Sequence, residues 1–186
     1  MPFGSLWLPV IVSAVVVFVA SAVFHMVLKY HKADYKRLPD EEGVRAAIAK
    51  GDPAPGVYFT PHCPDMKLLK EPAVQKRFET GPVAMITVLP KGMPAMQKGL
   101  ALWFGYCVAV SFVTAYVARH TLLPGADGML VMRITGTVAF AAYALSQIVD
   151  SIWKGQPWRN TLLHVLDGLV YSLVTGVTFR LLWPAA

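Results

Sequence analysis

Long uncharged, apolar stretches alternate with polar connections along this chain. A helix needs about 20 apolar residues to cross the roughly 30 Å hydrocarbon core of a bilayer, and four stretches are close to that length. Arg133 and Asp150 lie near the ends of the third stretch, so we expect both side chains to extend toward the headgroups. The pattern predicts an all-α membrane protein, a bundle of four transmembrane helices over residues 6–28, 99–118, 132–152 and 161–183.

The long connection after the first helix differs from the rest of the chain. We expect one membrane domain over residues 1–186, with residues 29–98 as a Pro-rich extramembrane lid. Within it, Pro39 precedes a predicted helix, and Pro72–Thr80 is a second one, closed by Gly81. The apolar run at residues 83–89 predicts either a strand or a segment lying in the membrane interface.

Composition supports the membrane class. The chain is 55% hydrophobic and 15% charged, and its mean hydropathy of +0.50 lies outside the usual range of soluble domains. Its net charge of +6 is concentrated in the long connection. Such a charge suits the anionic headgroups of a lipid bilayer, and no aromatic-basic motif indicates nucleic acid as a partner.

Basic residues also predict the orientation in the membrane. Lys and Arg crowd the 29–98 connection, and Lys154 and Arg159 lie in the short turn between the third and fourth helices. Basic residues near helix ends are retained on the cytoplasmic side. We therefore expect a multi-pass protein of a bacterial inner membrane, with the 29–98 loop cytoplasmic and both termini periplasmic.

Polar side chains inside the apolar helices are the main functional candidates. A charged side chain at the centre of a membrane helix costs roughly 2.5–3.5 kcal/mol on insertion scales, so it needs a partner or a purpose. Helical spacing places several of them within about two turns of one membrane face. The predicted intramembrane cluster consists of His25, Tyr143, Gln147, Asp150, His164, Asp167 and Tyr171. Three interpretations are open: a structural hydrogen-bonded network, proton or ion handling, and metal binding or catalysis.

Small residues recur every four positions on the fourth helix. Gly168, Ser172 and Gly176 form this row, and Gly136 lies on the matching face of the third helix. Small residues at this spacing let another helix approach closely. The row predicts a helix-packing seam, either within the chain or with another chain.

A second group of possible metal ligands lies in the long connection. His62, Cys63 and Asp65 are close in sequence and are of the right chemical types, with a Pro-bounded turn as the alternative interpretation. Cys107 lies in the second predicted helix. With Cys63 predicted to be cytoplasmic, we expect free thiols.

One span, a long basic connection and three closely spaced spans form a one-plus-three layout. Together with the His25-Met26 end of the first helix and the polar fourth helix, this layout resembles small bacterial inner-membrane proteins of unassigned function. The resemblance implies no activity.

The absence of a recognisable catalytic motif in the sequence favours a protein that is not an enzyme. The first hypothesis is an accessory, assembly or structural protein that binds itself, as a homo-oligomer, or another membrane protein. The second is a small proton- or ion-coupled transporter that uses the His/Asp cluster. The third is a membrane-embedded enzyme that acts on lipid.

Overall fold

Four helices of the structure are long and apolar enough to cross a membrane. The structure is a computed structural model that describes residues 3–185, and the four helices cover Gly4–Val27, Met96–Thr121, Gly128–Trp153 and Trp158–Leu181. The prediction of an all-α, four-span membrane protein is confirmed. The second and third helices extend beyond their predicted bounds, because their terminal turns continue into segments that carry polar and charged side chains.

The elements follow the chain in a simple order. The helices are α1 (Trp7–Ala22), α2 (Glu41–Gly51), α3 (Pro72–Thr80), α4 (Met96–Thr121), α5 (Gly128–Tyr143), α6 (Ile148–Trp153) and α7 (Trp158–Leu181), and the strands are β1 (Gly56–Thr60) and β2 (Ala84–Val88). Short 3-10 turns cover Phe3–Leu6, Tyr30–Ala33, Met66–Lys70 and Leu145–Gln147. The final turn of the first span, Val23–Val27, is a π-helix.

Helices α1, α4, α5 and α7 form the bundle. Helix α5 packs along α7, while α1 packs against both α4 and α7. One apolar core cluster includes Leu6, Val10 and Phe179, and a second one lies nearer the other end and includes Val17 and Tyr171. Large aliphatic side chains on the outer faces are exposed, which is the arrangement expected where a helix faces lipid; on α7 these include Leu162, Leu166 and Leu173.

Glycine residues allow α5 and α7 to approach each other closely. A Cβ atom added to Gly168 would lie 2.7 Å from backbone atoms of Tyr143 and Ala144, and one added to Gly176 would lie 2.9 Å from the Met132 carbonyl oxygen. A Cβ on Gly136 would lie 3.5 Å from the Ser172 carbonyl oxygen. The small-residue face of α7 is therefore occupied inside the bundle.

Residues Arg37–Pro94 form a separate compact unit. Strands β1 and β2 pair antiparallel, with Gly56 opposite Val88 and Thr60 opposite Ala84. The apolar run at 83–89 is thus a strand. Helix α3 begins at Pro72 and is closed by Gly81, whose φ of +62° favours glycine.

Candidate functional site

Two copies of the pattern His-x-x-Asp meet at one end of the bundle. The first, His31 to Asp34, begins on the 3-10 turn that follows α1, and the second, His164 to Asp167, lies on the first half of α7. The His31 Nε2 atom lies 2.7 Å from Asp167 Oδ2. The His164 Nε2 atom lies 3.8 Å from Asp34 Oδ2. Each histidine therefore faces the aspartate of the other motif.

His31 is at the centre of this arrangement. Its Nδ1 atom lies 2.5 Å from Asp34 Oδ2, so the imidazole sits between two carboxylates. The side chains of Asp34 and Asp167 are each only 6% exposed. The Tyr30 hydroxyl donates a hydrogen bond to the other oxygen of Asp167, Oδ1. Both carboxylates thus have partners that hold them in place.

The backbone after α1 brings these side chains to the bundle. The π-helical turn Val23–Val27 carries His25, and π-helical turns often occur at functional sites. Lys29 then adopts a left-handed conformation with φ of +57°, which ends the helix. The following 3-10 turn, Tyr30–Ala33, directs Tyr30 and His31 toward α7.

Three imidazole rings are in contact. The His31 ring centroid is 4.4 Å from that of His25 and 4.8 Å from that of His164. His25 is exposed, whereas His31 and His164 are partly buried. Three imidazoles and two carboxylates therefore converge within a small volume at one end of the bundle.

The two carboxylates favour positive charge on the His31 ring. Burial lowers the pKa of His31, but hydrogen bonds and charge interactions with Asp34 and Asp167 outweigh it, so the pKa of His31 is raised. Burial, together with the hydrogen bond to Asp167, raises the pKa of Tyr30. The Arg159 guanidinium lies 3.7 Å from Asp34 Oδ1, an oxygen atom without a hydrogen-bond partner in the described part of the chain.

A cavity of about 130 Å³ lies beside His164 and Asp167, the second motif. The Tyr171 hydroxyl is buried and has no hydrogen-bond partner among the described residues. A water molecule occupies about 30 Å³ in the liquid, so the cavity has room for about four waters or a small ligand. Six side chains of the predicted cluster line it: His25, Tyr143, Gln147, His164, Asp167 and Tyr171.

Asp150, the seventh predicted member, lies elsewhere. Its carboxylate pairs with Lys154 at 2.7 Å, and it is 35% exposed. The α-helical hydrogen bonding of the third span is replaced by a 3-10 turn at Leu145–Gln147. Such a turn advances the chain by a different angle per residue than an α-helix, so the spacing argument that placed Asp150 with the histidines was wrong.

Sequence reasoning missed Tyr30, His31 and Asp34 as members of the site. All three fall after the first span, in the segment that the pattern assigned to the lid. The repeated His-x-x-Asp pattern was an available signal, but the chain has a third copy, His62 to Asp65, so the pattern alone does not identify which copies meet.

The group at His62, Cys63 and Asp65 forms a local turn. Cys63 Sγ donates to the Asp65 carbonyl oxygen at 3.2 Å, and the Asp65 carboxylate accepts a hydrogen bond from the Lys67 backbone N–H at 2.8 Å. Cys63 and Cys107 are free thiols. These contacts favour the Pro-bounded turn over a metal site.

Two overlapping sets of metal-ligating side chains occur among residues 3–185. One set is His25, His31 and Asp167, and the other is His31, Asp34 and His164. Within each set, the ligand atoms lie within 4.8 Å of one another. Imidazole nitrogen and carboxylate oxygen are common ligands of zinc and related divalent ions. The arrangement is chemically suited to hold such an ion.

The opposite end of the bundle is closed by apolar side chains. Leu6, Val10 and Phe179 are fully buried there. The hydroxyls of Thr135 and Thr175, which lie in the bundle interior, bond to backbone carbonyls of their own helices.

Comparisons with protein-family models, with curated proteins and with solved structures found no match to this chain. Its function is therefore inferred from the residues of the site.

Proposed function

We propose that this membrane protein binds a divalent transition-metal ion between the two converging His-x-x-Asp motifs. The observation that carries the proposal is the convergence of His31 and Asp34 with His164 and Asp167, two pairs that lie 130 or more positions apart in the chain. Zinc is the representative ion, because imidazole and carboxylate ligands suit it well.

A purely structural hydrogen-bonded network explains less of this geometry than a metal site does. Such a network needs each polar group to have a partner, but it gives no reason for three imidazole rings to crowd around one another next to two carboxylates. A divalent ion balances the two negative charges and uses several imidazoles at once.

Each set of three ligands favours an exchangeable or reactive ion over a closed structural one. Structural zinc sites have four protein ligands, whereas catalytic sites have three and leave one position for water or substrate. The adjacent cavity of about 130 Å³ has space for that water. The third hypothesis, an enzyme, gains support from this open position, although lipid as its substrate stays a prediction.

The other two hypotheses, an accessory protein and a transporter, gain less support from this geometry. The small-residue face that suggested a partner helix packs inside the bundle at Gly168 and Gly176, so a homo-oligomer or a membrane-protein partner stays a prediction. A transported ion would have to pass the buried apolar side chains of Leu6, Val10 and Phe179.

The proposed orientation places the metal site at the cytoplasmic face of a bacterial inner membrane. Lys154 and Arg159 lie at the same end of the bundle as the site, and basic residues favour the cytoplasm. We expect a membrane-impermeant thiol reagent to leave Cys63 unmodified in intact cells and to modify it in inside-out vesicles. Modification in intact cells would reverse the orientation.

Zinc titration of the purified full-length protein tests the proposed function. We expect binding by the wild type and a loss of affinity of more than about 10-fold in His31→Ala, since His31 belongs to both sets of ligands and even outer partners of a metal site contribute 10–100-fold. Asp150→Asn is the control, because its carboxylate pairs with Lys154 at the surface and belongs to neither set of ligands. Equal affinity in all three proteins, or no binding by the wild type, would refute the proposal.

A further inference from the structure

The two sets of ligands share His31 but approach it from opposite sides. His31 Nδ1 lies 2.5 Å from the Asp34 carboxylate, and Nε2 lies 2.7 Å from the Asp167 carboxylate. The lone pairs of the two ring nitrogens point in diverging directions, so a single ion cannot be bound by both. One imidazole therefore lies between two separate ligand sets.

We propose that the centre binds two divalent ions, bridged by the His31 ring. This inference rests on the proposed function and specifies how many ions the site holds. The first ion is bound by His31 Nδ1, Asp34 and His164, and the second by His31 Nε2, Asp167 and His25. Each ion thus has two nitrogen ligands and one carboxylate.

The positions of the neighbouring groups match this division. His164 Nε2 lies 3.8 Å from Asp34 Oδ2, the oxygen that contacts His31 Nδ1. The His164 ring is stacked on the His31 ring with centroids 4.8 Å apart, so binding of the first ion requires the His164 side chain to rotate out of this stack. The Tyr30 hydroxyl donates to Asp167 Oδ1, which leaves Oδ2 directed at His31 Nε2. Tyr30 is therefore a positioning residue, since it holds a ligating carboxylate in place.

Binding of two ions must release the protons of the His31 ring and leave the charges of the centre compensated. An ion at each nitrogen displaces any proton there, so His31 becomes an imidazolate and its ring protons pass to solvent. The imidazolate and the two aspartates then supply three negative charges against the four positive charges of two divalent ions. The open coordination position of each ion can hold water, hydroxide or another small anion, which compensates the remainder. No oxidation or reduction is involved.

The metal content of the full-length protein tests this arrangement. After zinc loading and gel filtration, we expect two zinc ions per chain in the wild type by elemental analysis. Asp34→Asn and Asp167→Asn should each retain one ion, because each removes a carboxylate from one set only. Asp150→Asn should retain two ions and serves as the control, since it lies outside both sets.

Copper(II) provides a second, independent measurement. Two copper ions joined by one imidazolate are magnetically coupled, so we expect a coupled-pair signal in the electron paramagnetic resonance spectrum of the wild type. In either aspartate variant, an isolated copper signal should replace it.

The outcomes separate the two proposals. One zinc ion per wild-type chain, or two copper ions without coupling, would overturn the bridged pair while leaving metal binding intact. A wild type that retains no zinc would overturn both this inference and the proposed function.

Discussion

Gly168→Ala is expected to disrupt the bundle. The added methyl carbon would lie 2.7 Å from backbone atoms of Tyr143 and Ala144, a distance that Cβ contacts do not tolerate. Backbone cannot rotate aside as a flexible side chain can, so α5 and α7 must separate. Overpacking of this kind costs about 3 kcal/mol or more where no relaxation is possible. We expect a markedly lower Tm in detergent and a smaller yield of monodisperse protein.

Gly105→Ala is the matched control. Gly105 lies in α4, is exposed, and has no heavy atom within 4 Å of an added Cβ beyond its own helix and chain neighbours. Alanine is favoured over glycine in a helix by about 1 kcal/mol, so this variant should be as stable as the wild type or more so. If Gly168→Ala were equally stable, the close approach of α5 and α7 would be wrong.

Asp167→Ala is the second substitution with a large expected effect. It removes the partner of His31 Nε2 and of the Tyr30 hydroxyl together, and it does so at a side chain only 6% exposed. Removing one partner of a buried ion pair costs roughly 3–5 kcal/mol, because the other group is left without compensation. Thermal unfolding in the presence of a chelator, which excludes any effect of bound metal, measures this loss.

Asp150→Ala is the control for Asp167→Ala. It shows how much stability is lost when a carboxylate outside the buried network is removed. The Asp150 pair with Lys154 is partly exposed, and exposed pairs contribute only about 0–1 kcal/mol. We expect a small change in Tm for this variant. If Asp167→Ala lowered Tm by no more than Asp150→Ala does, the buried network around His31 would not exist as described.

The transmembrane helices were predictable because their signal is local. A run of about 20 apolar residues has few alternatives in a bilayer, and all four spans occur where the hydrophobic pattern predicts them. The small residues of α7 were also informative, since their spacing alone indicates a face of close packing. The sequence left open whether the partner helix was internal, and the structure identifies it as α5.

The site was only partly predictable because it depends on irregular backbone. A positive φ at Lys29, which is not glycine, redirects the chain after α1, and nothing in the local pattern signals it. The 3-10 turn before α6 moved Asp150 away in the same manner. Both events change which side chains meet without changing the hydrophobic pattern. The pairing of His31 with Asp167 joins positions 136 residues apart, which periodicity within one helix cannot detect.

The most direct test of the metal centre compares two histidine substitutions in one zinc titration. His31 belongs to both sets of ligands in the bundle, whereas His62 lies in the separate unit, beside the turn formed by Cys63 and Asp65. We predict that His62→Ala binds zinc as the wild type does and that His31→Ala binds it more than about 10-fold more weakly. Unchanged binding by His31→Ala would contradict a metal centre in the bundle.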